Sequence, residues 1–161
     1  MANYTGANVI TTSDIQKYQP DAFDFGISTT ATETTNFLAQ TTNDILRQLR
    51  VEWWPVYKTN IFTDITVLNT AEMVNTKVNL DQFERAGVYL FLGRFFLPAL
   101  TKFRPETEKD RFERMAEYYM SQYNVEWRMI LEDGVEYDVD ADGTIVSNER
   151  EPLHGFRRLI R

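Results

Sequence analysis

The stretch Phe112–Ile130, with the sequence FERMAEYYMSQYNVEWRMI, carries the clearest amphipathic pattern in the chain. Its large apolar residues recur three or four positions apart, which is the spacing of side chains on one face of an α-helix. The residues of this stripe are Phe112, Met115, Tyr119, Tyr123, Trp127 and Ile130. Pro105 suits the first turn of a helix, and Gly134 suits the end of one. The pattern therefore predicts a long helix between these two residues that packs through an aromatic face.

Two stretches nearer the N-terminus predict further long helices. Residues 28–55 have apolar positions at spacings of three, four and seven. Residues 79–100 include the apolar run Val88–Leu100, in which Pro98 predicts a kink. Residues 56–78, between these helices, fit either a strand or short helical turns, and the pattern leaves both open.

The C-terminal region has a different period. After Gly134, apolar and acidic residues alternate along VEYDV, which is typical of a β-strand. The dipeptide Asp142-Gly143 is a turn signal, so we expect a hairpin over residues 135–149 with Thr144–Ser147 as the returning strand. The predicted fold is mostly α, a bundle of three long helices and a short N-terminal helix, with a small C-terminal β-hairpin and extended terminal arms. As a single domain it divides into an extended arm (1–12), a helical core (13–134), the acidic hairpin (135–149) and a basic tail (150–161).

The composition excludes several classes of protein. The chain has no cysteine and one histidine, which excludes disulfides, cysteine nucleophiles and metal sites built from thiolates or several histidines. A net charge of −7 argues against a free-standing DNA-binding protein. Glycine-rich phosphate loops and nucleophile elbows do not occur, so we expect neither an enzyme nor a cofactor. The N-terminus does not resemble a signal peptide, and the longest apolar run is too short to span a bilayer, so we expect a soluble protein made in the cytoplasm.

The acidic segment Asp138–Glu149, DVDADGTIVSNE, matches the pattern of an EF-hand calcium loop, D-x-[DN]-x-[DN]-G-x5-E. Asp138, Asp140, Asp142 and Glu149 occupy the positions that supply carboxylate ligands in such loops. The surroundings fit less well, because a strand pattern rather than a helix leads into the segment and a proline follows it. We therefore favour a β-hairpin without a metal ion, and a single-loop calcium-binding module remains the alternative.

Two groups of residues are candidates for contacts with other chains. The aromatic cluster in VEWWPVY has few neighbouring cations to guide a nucleic acid, so packing in a core or an interface is expected. The Arg-rich ending GFRRLIR is opposite in charge to the acidic hairpin and is expected to dock on it, in the same chain or a neighbour. The candidate interface residues are Trp53, Trp54 and Tyr57 in the cluster, and Phe156, Arg157, Arg158 and Arg161 in the tail.

The order of these features resembles that of the adaptor proteins of tailed bacteriophages, also called head-tail connector, head-completion or neck proteins. The segments that carry the resemblance are ITTSDIQKY near the N-terminus, FERAGVYLFLGRFFLPAL in the second long helix, and VEYDVDADGTIVSNEREPLHGFRRLIR at the C-terminus. A Y-D-x-D-x-D-G turn followed by an Arg-rich end is similar to the ending of many phage structural proteins. The resemblance extends over most of residues 10–161.

This resemblance implies a structural role in the virion neck, between capsid and tail. Such subunits form an oligomeric ring, commonly a dodecamer, that binds the portal protein and gives tail or tail-terminator proteins their attachment surface. DNA passes through the channel of the ring without sequence-specific binding. An acidic chain suits that channel because it offers few fixed cations to hold phosphates. The N-terminal arm and the basic tail are expected to become ordered only on assembly.

Overall fold

The computed structural model describes residues 8–25, 27–101, 111–145 and 149–151. Over these ranges the protein is mostly helical, as the sequence predicts. The α-helices are α1 (Thr12–Tyr18), α2 (Thr32–Glu52), α3 (Trp54–Ile61), α4 (Ile65–Thr70), α5 (Glu84–Leu90), α6 (Leu97–Leu100) and α7 (Arg111–Asp133). Short 3₁₀ turns lie at Ala22–Phe25, Asn75–Lys77 and Leu80–Phe83, and Phe91–Phe96 is a π-helix. Strands β1 (Val135–Glu136) and β2 (Arg150–Glu151) pair antiparallel.

The chain forms two compact units, each built from separate stretches. We call Asn8–Ile45 and Phe83–Trp127 the helical unit, and Leu46–Gln82 together with the described residues from Arg128 onward the loop unit. The sequence predicts one domain because two of the boundaries fall inside continuous helices, α2 and α7, and a third falls inside the 3₁₀ turn Leu80–Phe83. A helix that passes such a boundary keeps its hydrophobic period, so the division leaves no sign in the pattern.

The helical unit is built around α5 and the π-helix. Their buried side chains are Val88, Leu90, Phe91, Leu92 and Phe96. Other segments approach this core closely at two glycines: a Cβ on Gly87 would lie 2.8 Å from Ile10 Cγ2 and 2.9 Å from Val9 Cγ1. A Cβ on Gly93 would lie 2.9 Å from the backbone nitrogen of Met120 in α7. The two glycines therefore allow the N-terminal residues and α7 to pack against the central helix.

The N-terminal arm differs from the prediction over the part that the structure describes. Val9 and Ile10 are buried, and the Val9 N–H donates to the Thr42 hydroxyl at 3.0 Å. Thr11 caps α1, since its side chain accepts from the Asp14 N–H. The described part of the extended arm predicted over residues 1–12 is therefore packed against the helical unit at Val9 and Ile10. Burial of an adjacent valine and isoleucine supplies the apolar contact that an isolated extended segment lacks.

The second predicted helix has an altered turn ahead of its proline. The Leu97 N–H donates to the Leu92 carbonyl, five residues back, which is the π-helical pattern. Pro98 has no N–H to donate, and its ring crowds the carbonyl four residues earlier. A widened turn before Pro98 accommodates that crowding, so the proline acts where the sequence predicts a kink.

Residues 56–78, which the pattern left open between a strand and helical turns, are described without a strand. Pro55 lies in the first turn of α3, where a proline costs no hydrogen bond, so it begins a helix as well as ending the previous one. Asp64 then caps α4 by accepting from the Thr66 N–H. The short helices arise because capping chemistry at Asp64 overrides the apparent alternation in the sequence.

The C-terminal segment departs from the predicted hairpin. The last long helix ends at Gly134, whose φ of 99° is readily adopted by glycine. Val135 then pairs with Glu151, and Glu136 pairs with Arg150. The expected returning strand began at Thr144, but neither described residue of that stretch, 144 or 145, lies in a strand.

The intervening acidic residues make local turns. The Asp142 N–H donates to Asp140 Oδ1 at 3.2 Å, and the Thr144 N–H donates to Asp142 Oδ1 at 2.7 Å. Such side-chain acceptors compete with strand pairing. The pairing partner of β1 is therefore found farther along the chain than a tight hairpin would place it.

Candidate metal centre

The acidic segment is held in place by strand-like bonds on both sides. Val78 and Tyr137 form an antiparallel bridge, and the Asp138 N–H donates to the Lys77 carbonyl at 2.9 Å. On the other side, the Tyr137 N–H donates to the Glu149 carbonyl at 3.1 Å. The backbone of residues 137 and 138 is therefore held between two neighbouring stretches of chain, and this positions the side chain of Asp138.

Three of the four predicted calcium ligands come together. The carboxylates of Asp138, Asp140 and Glu149 each offer an oxygen, and these oxygens all lie within 4.8 Å of one another. Asp138 and Glu149 are 3% and 4% exposed, whereas Asp140 is on the surface. The cluster therefore has two buried members and one open to solvent, which gives an ion a way in.

The fourth predicted ligand, Asp142, lies outside this group. Its side chain is exposed, and its Oδ1 accepts the Thr144 N–H at 2.7 Å. The pattern places an acidic residue at this position but does not determine where its side chain is directed. In this chain the residue is used to close a local turn.

Backbone donors orient both buried carboxylates. The Gly143 N–H donates to Asp138 Oδ2 at 2.9 Å, and the Val139 N–H donates to Glu149 Oε1 at 2.8 Å. Gly143 has a φ of 83° and Ala141 a φ of 62°, so the loop turns through left-handed backbone. The second oxygen of Asp138, Oδ1, is buried and has no hydrogen-bond partner among the described residues.

Asp138 remains an anion in spite of its burial. Burial by itself raises the pKa of the carboxyl, but hydrogen bonds from the N–H groups of Gly143 and Ala141 stabilise the charged form. The pKa of Asp138 consequently lies below its ordinary value of 3.8. A buried, charged carboxylate with one unpartnered oxygen is a site that can accept a hard cation, for which carboxylate oxygens are the preferred ligands.

The predicted aromatic interface residues lie inside the protomer. Trp53, Trp54 and Tyr57 are 1%, 7% and 2% exposed, and they surround the ring of Tyr137. The ring centroids of Trp53 and Tyr57 are 4.2 Å apart, and the Trp54 indole N–H donates to the Ala71 carbonyl at 3.2 Å. Contacts within the chain cover these three side chains. Of the two settings that the sequence left open, a core or an interface, the described contacts are those of a core.

Tyr137 is the residue of this cluster that the sequence analysis did not single out. The alternation of VEYDV put it on the same side of a strand as Val135, and this was the available signal. Its hydroxyl accepts the Val74 N–H at 3.1 Å, and burial raises the pKa of its phenol. Tyr137 therefore joins the aromatic cluster directly to the acidic segment that begins at the next residue.

The basic tail is described only at its first residues. Arg150 Nη1 lies 3.6 Å from Glu136 Oε1, an ion pair between the beginning of the tail and β1. The predicted contact residues Phe156, Arg157, Arg158 and Arg161 lie outside the described residues.

A second surface feature belongs to the loop unit. Helix α4 is described in full and contains Ile65, Val67 and Leu68, yet it buries none of its residues. Ile65 is 73% exposed. Val51, Val56 and Val74 from the same part of the chain are exposed as well. The sequence analysis left this region undecided and did not identify it as a surface.

No protein-family model matches this chain, and no curated protein or solved structure shows significant similarity to it. Among the helices that the structure describes, none has the length and apolar character needed to cross a membrane. Functional inference consequently depends on the residues and geometry of the chain itself.

Proposed function

We propose that this chain is a non-enzymatic structural subunit of a bacteriophage neck. In this role it forms an oligomeric ring that joins the portal to the tail and lets DNA pass. The resemblance of its segment order to the adaptor proteins is the origin of the proposal. The observation that carries it is the exposed apolar surface of α4, because a ring subunit needs a face for its neighbour.

Helix α4 has the character of a contact surface rather than of a solvated helix. Ile65 and Val67 are 73% and 42% exposed. Burial of apolar surface is favourable by about 25 cal/mol per Å², so a group of exposed apolar side chains favours association with another surface. A head-to-tail ring buries two different faces of each protomer. We assign one of these faces to α4, which contacts the adjacent copy of the same chain.

The charge of the chain is consistent with this role. A net charge of −7 gives the chain an overall repulsion toward the phosphates of a DNA backbone. A subunit around a channel benefits from weak attachment, because the genome has to move past it. The proposed contact with DNA is therefore passage without specific binding.

The test is the mass of the full chain by light scattering over a range of concentrations. We expect a species heavier than the monomer. Ile65→Asp should raise the dissociation constant between neighbouring subunits by about tenfold, because a charge buried in the interface without a partner is costly. Asn69→Asp is the matched control, because it adds the same charge to an exposed polar position of the same helix. Equal effects of the two variants would remove α4 from the proposed interface.

A further inference from the structure

The carboxylates of Asp138, Asp140 and Glu149 form a cluster whose chemistry the proposed ring does not explain. Its oxygens lie within 4.8 Å of one another. Three carboxylates at this separation repel each other unless a positive charge lies between them. We propose that the folded chain binds one calcium ion at this cluster, with these three side chains as its ligands.

The longer bonds and flexible coordination geometry of calcium suit a cluster of three carboxylates better than the short bonds and strict octahedral geometry of magnesium. Calcium binds oxygen at about 2.3–2.6 Å, so two ligands on opposite sides of the ion are about 4.8 Å apart. Magnesium requires about 2.0–2.1 Å, which limits opposite ligands to about 4.2 Å. The three oxygens lie within 4.8 Å of one another, so one calcium ion can bind all three carboxylates after small movements of the side chains.

The second, independent observation is the unpartnered oxygen of Asp138. Oδ1 is buried without a hydrogen-bond partner among the described residues, on a side chain that is 3% exposed. Burying a charged oxygen without a partner is costly, so natural proteins rarely leave one. The neighbouring carboxylates of Asp140 and Glu149 cannot donate to it when they are ionised. A cation between the three carboxylates supplies the partner that Asp138 Oδ1 lacks among the described residues.

The backbone around the cluster orients its ligands. The N–H groups of Gly143 and Val139 each hold one oxygen of a buried carboxylate, Asp138 Oδ2 and Glu149 Oε1. Such outer hydrogen bonds fix ligand direction before the ion arrives. The site is therefore partly organised in the folded chain.

The site differs from a helix–loop–helix calcium site. A strand precedes Asp138, and Asp142 is turned away, so three carboxylates have to be supplemented by water or backbone oxygens to reach six to eight ligands. Fewer charged ligands lower the affinity, so we expect a dissociation constant in the weak range of about 10⁻⁴–10⁻³ M. Calcium binding does not depend on the neck assignment, because it concerns the folded monomer.

Isothermal titration calorimetry of the full chain with calcium chloride tests the proposal. We expect one site per chain, with magnesium binding at least about tenfold more weakly. Asp140→Asn should weaken calcium binding by about tenfold or more, and it should leave the fold intact because the side chain is exposed. Asp142→Asn is the matched control, with the same charge change in the same loop, and should leave the dissociation constant within about twofold because Asp142 lies outside the cluster.

Glu149→Gln is a second ligand variant that keeps an acceptor for the Val139 N–H. Circular dichroism of each variant verifies that it is folded. Absence of binding heat and of any rise in melting temperature at about 10 mM calcium, tenfold above the weakest expected dissociation constant, would overturn the proposal. Equal weakening by Asp140→Asn and Asp142→Asn would also overturn it, because it would show general charge attraction. Light scattering on the same samples reports assembly separately, so failure of the calcium site and failure of the ring are distinguishable.

Discussion

Tyr137 and Asp138 are neighbours in sequence, and the structure buries both for different reasons. The phenol ring fills space among Trp53, Trp54 and Tyr57. The carboxylate is buried because backbone N–H groups stabilise its charge. The period-2 pattern could indicate that the two side chains point to opposite sides of a strand, but not that both sides are covered.

The acidic motif was also informative only in part. Residue type and spacing identified the carboxylates of Asp138, Asp140 and Glu149 as candidate ligands, and the structure brings them together. The same pattern included Asp142, whose direction depends on the Thr144 N–H. A motif records which residues are present, whereas local hydrogen bonds decide which of them converge.

Removing the hydroxyl of Tyr137 should destabilise the fold measurably. The hydroxyl accepts the Val74 N–H at 3.1 Å in a partly buried position. Tyr137→Phe should therefore lower the free energy of unfolding by about 1 kcal/mol in urea titrations. Tyr118→Phe is the control, because Tyr118 is 58% exposed and its change should stay within about 0.5 kcal/mol. Indistinguishable stabilities of the two variants would contradict the role assigned to this bond.

Individual elements differ in how far the sequence predicts them. Helix α7 was predictable because a long stripe of aromatic residues must be covered, and this demand appears as a regular period. Helix α4 was not, because it buries nothing and depends on the cap at Asp64. The described part of the predicted returning strand, residues 144 and 145, is not in a strand, because the acidic residues before it bond to nearby N–H groups.

The capping box of α1 gives a prediction about pH. Burial alone raises the pKa of Asp14, but hydrogen bonds from Lys17 and Thr11 outweigh it, so the pKa lies below the ordinary 3.8. The ionised carboxylate of Asp14 therefore stabilises the folded state. Because the folded-state pKa is depressed, this stabilisation is fully present above the unfolded-state pKa, from about pH 5 upward, and is lost as pH falls through the folded-state pKa.

Asp14→Asn should remove this contribution, which we expect to be about 1 kcal/mol for a helix cap. The free energy of unfolding of the wild type and of Asp14→Asn, measured by urea titration between about pH 2.5 and pH 7, should differ most at neutral pH and converge in acid. A difference that is constant over this range would contradict a role for the ionised carboxylate. Asp21→Asn is a control for loss of one exposed acidic charge.

At the scale of the whole molecule, two compact units and an exposed helix could not be deduced from the period of the sequence. Boundaries between the units fall inside α2, inside α7 and inside the 3₁₀ turn Leu80–Phe83. The exposure of Ile65 could not be predicted either. An isoleucine in an alternating pattern is expected to be buried, and only the folded chain shows that this one is exposed. Mostly helical character was accessible because most of the chain has a helical period.

In the proposed neck role the chain is one part of an assembly. It would use two kinds of contact surface, one apolar and one charged. The apolar side chains of α4 are assigned to a second copy. The predicted contacts of the tail, at Phe156 and the arginines after it, are assigned to the portal or to the acidic segment of a neighbour. These surfaces differ in chemistry, so raised salt should weaken the charged contact and leave the apolar one nearly unchanged.

The most direct measurement is the mass, by size-exclusion chromatography with light scattering, of the full chain mixed with a phage portal protein. The neck assignment predicts a complex whose mass equals one portal ring plus a ring of this chain, in a fixed ratio that does not change when more chain is added. A chain that elutes as a monomer, apart from the portal at every concentration and with or without calcium, would contradict it.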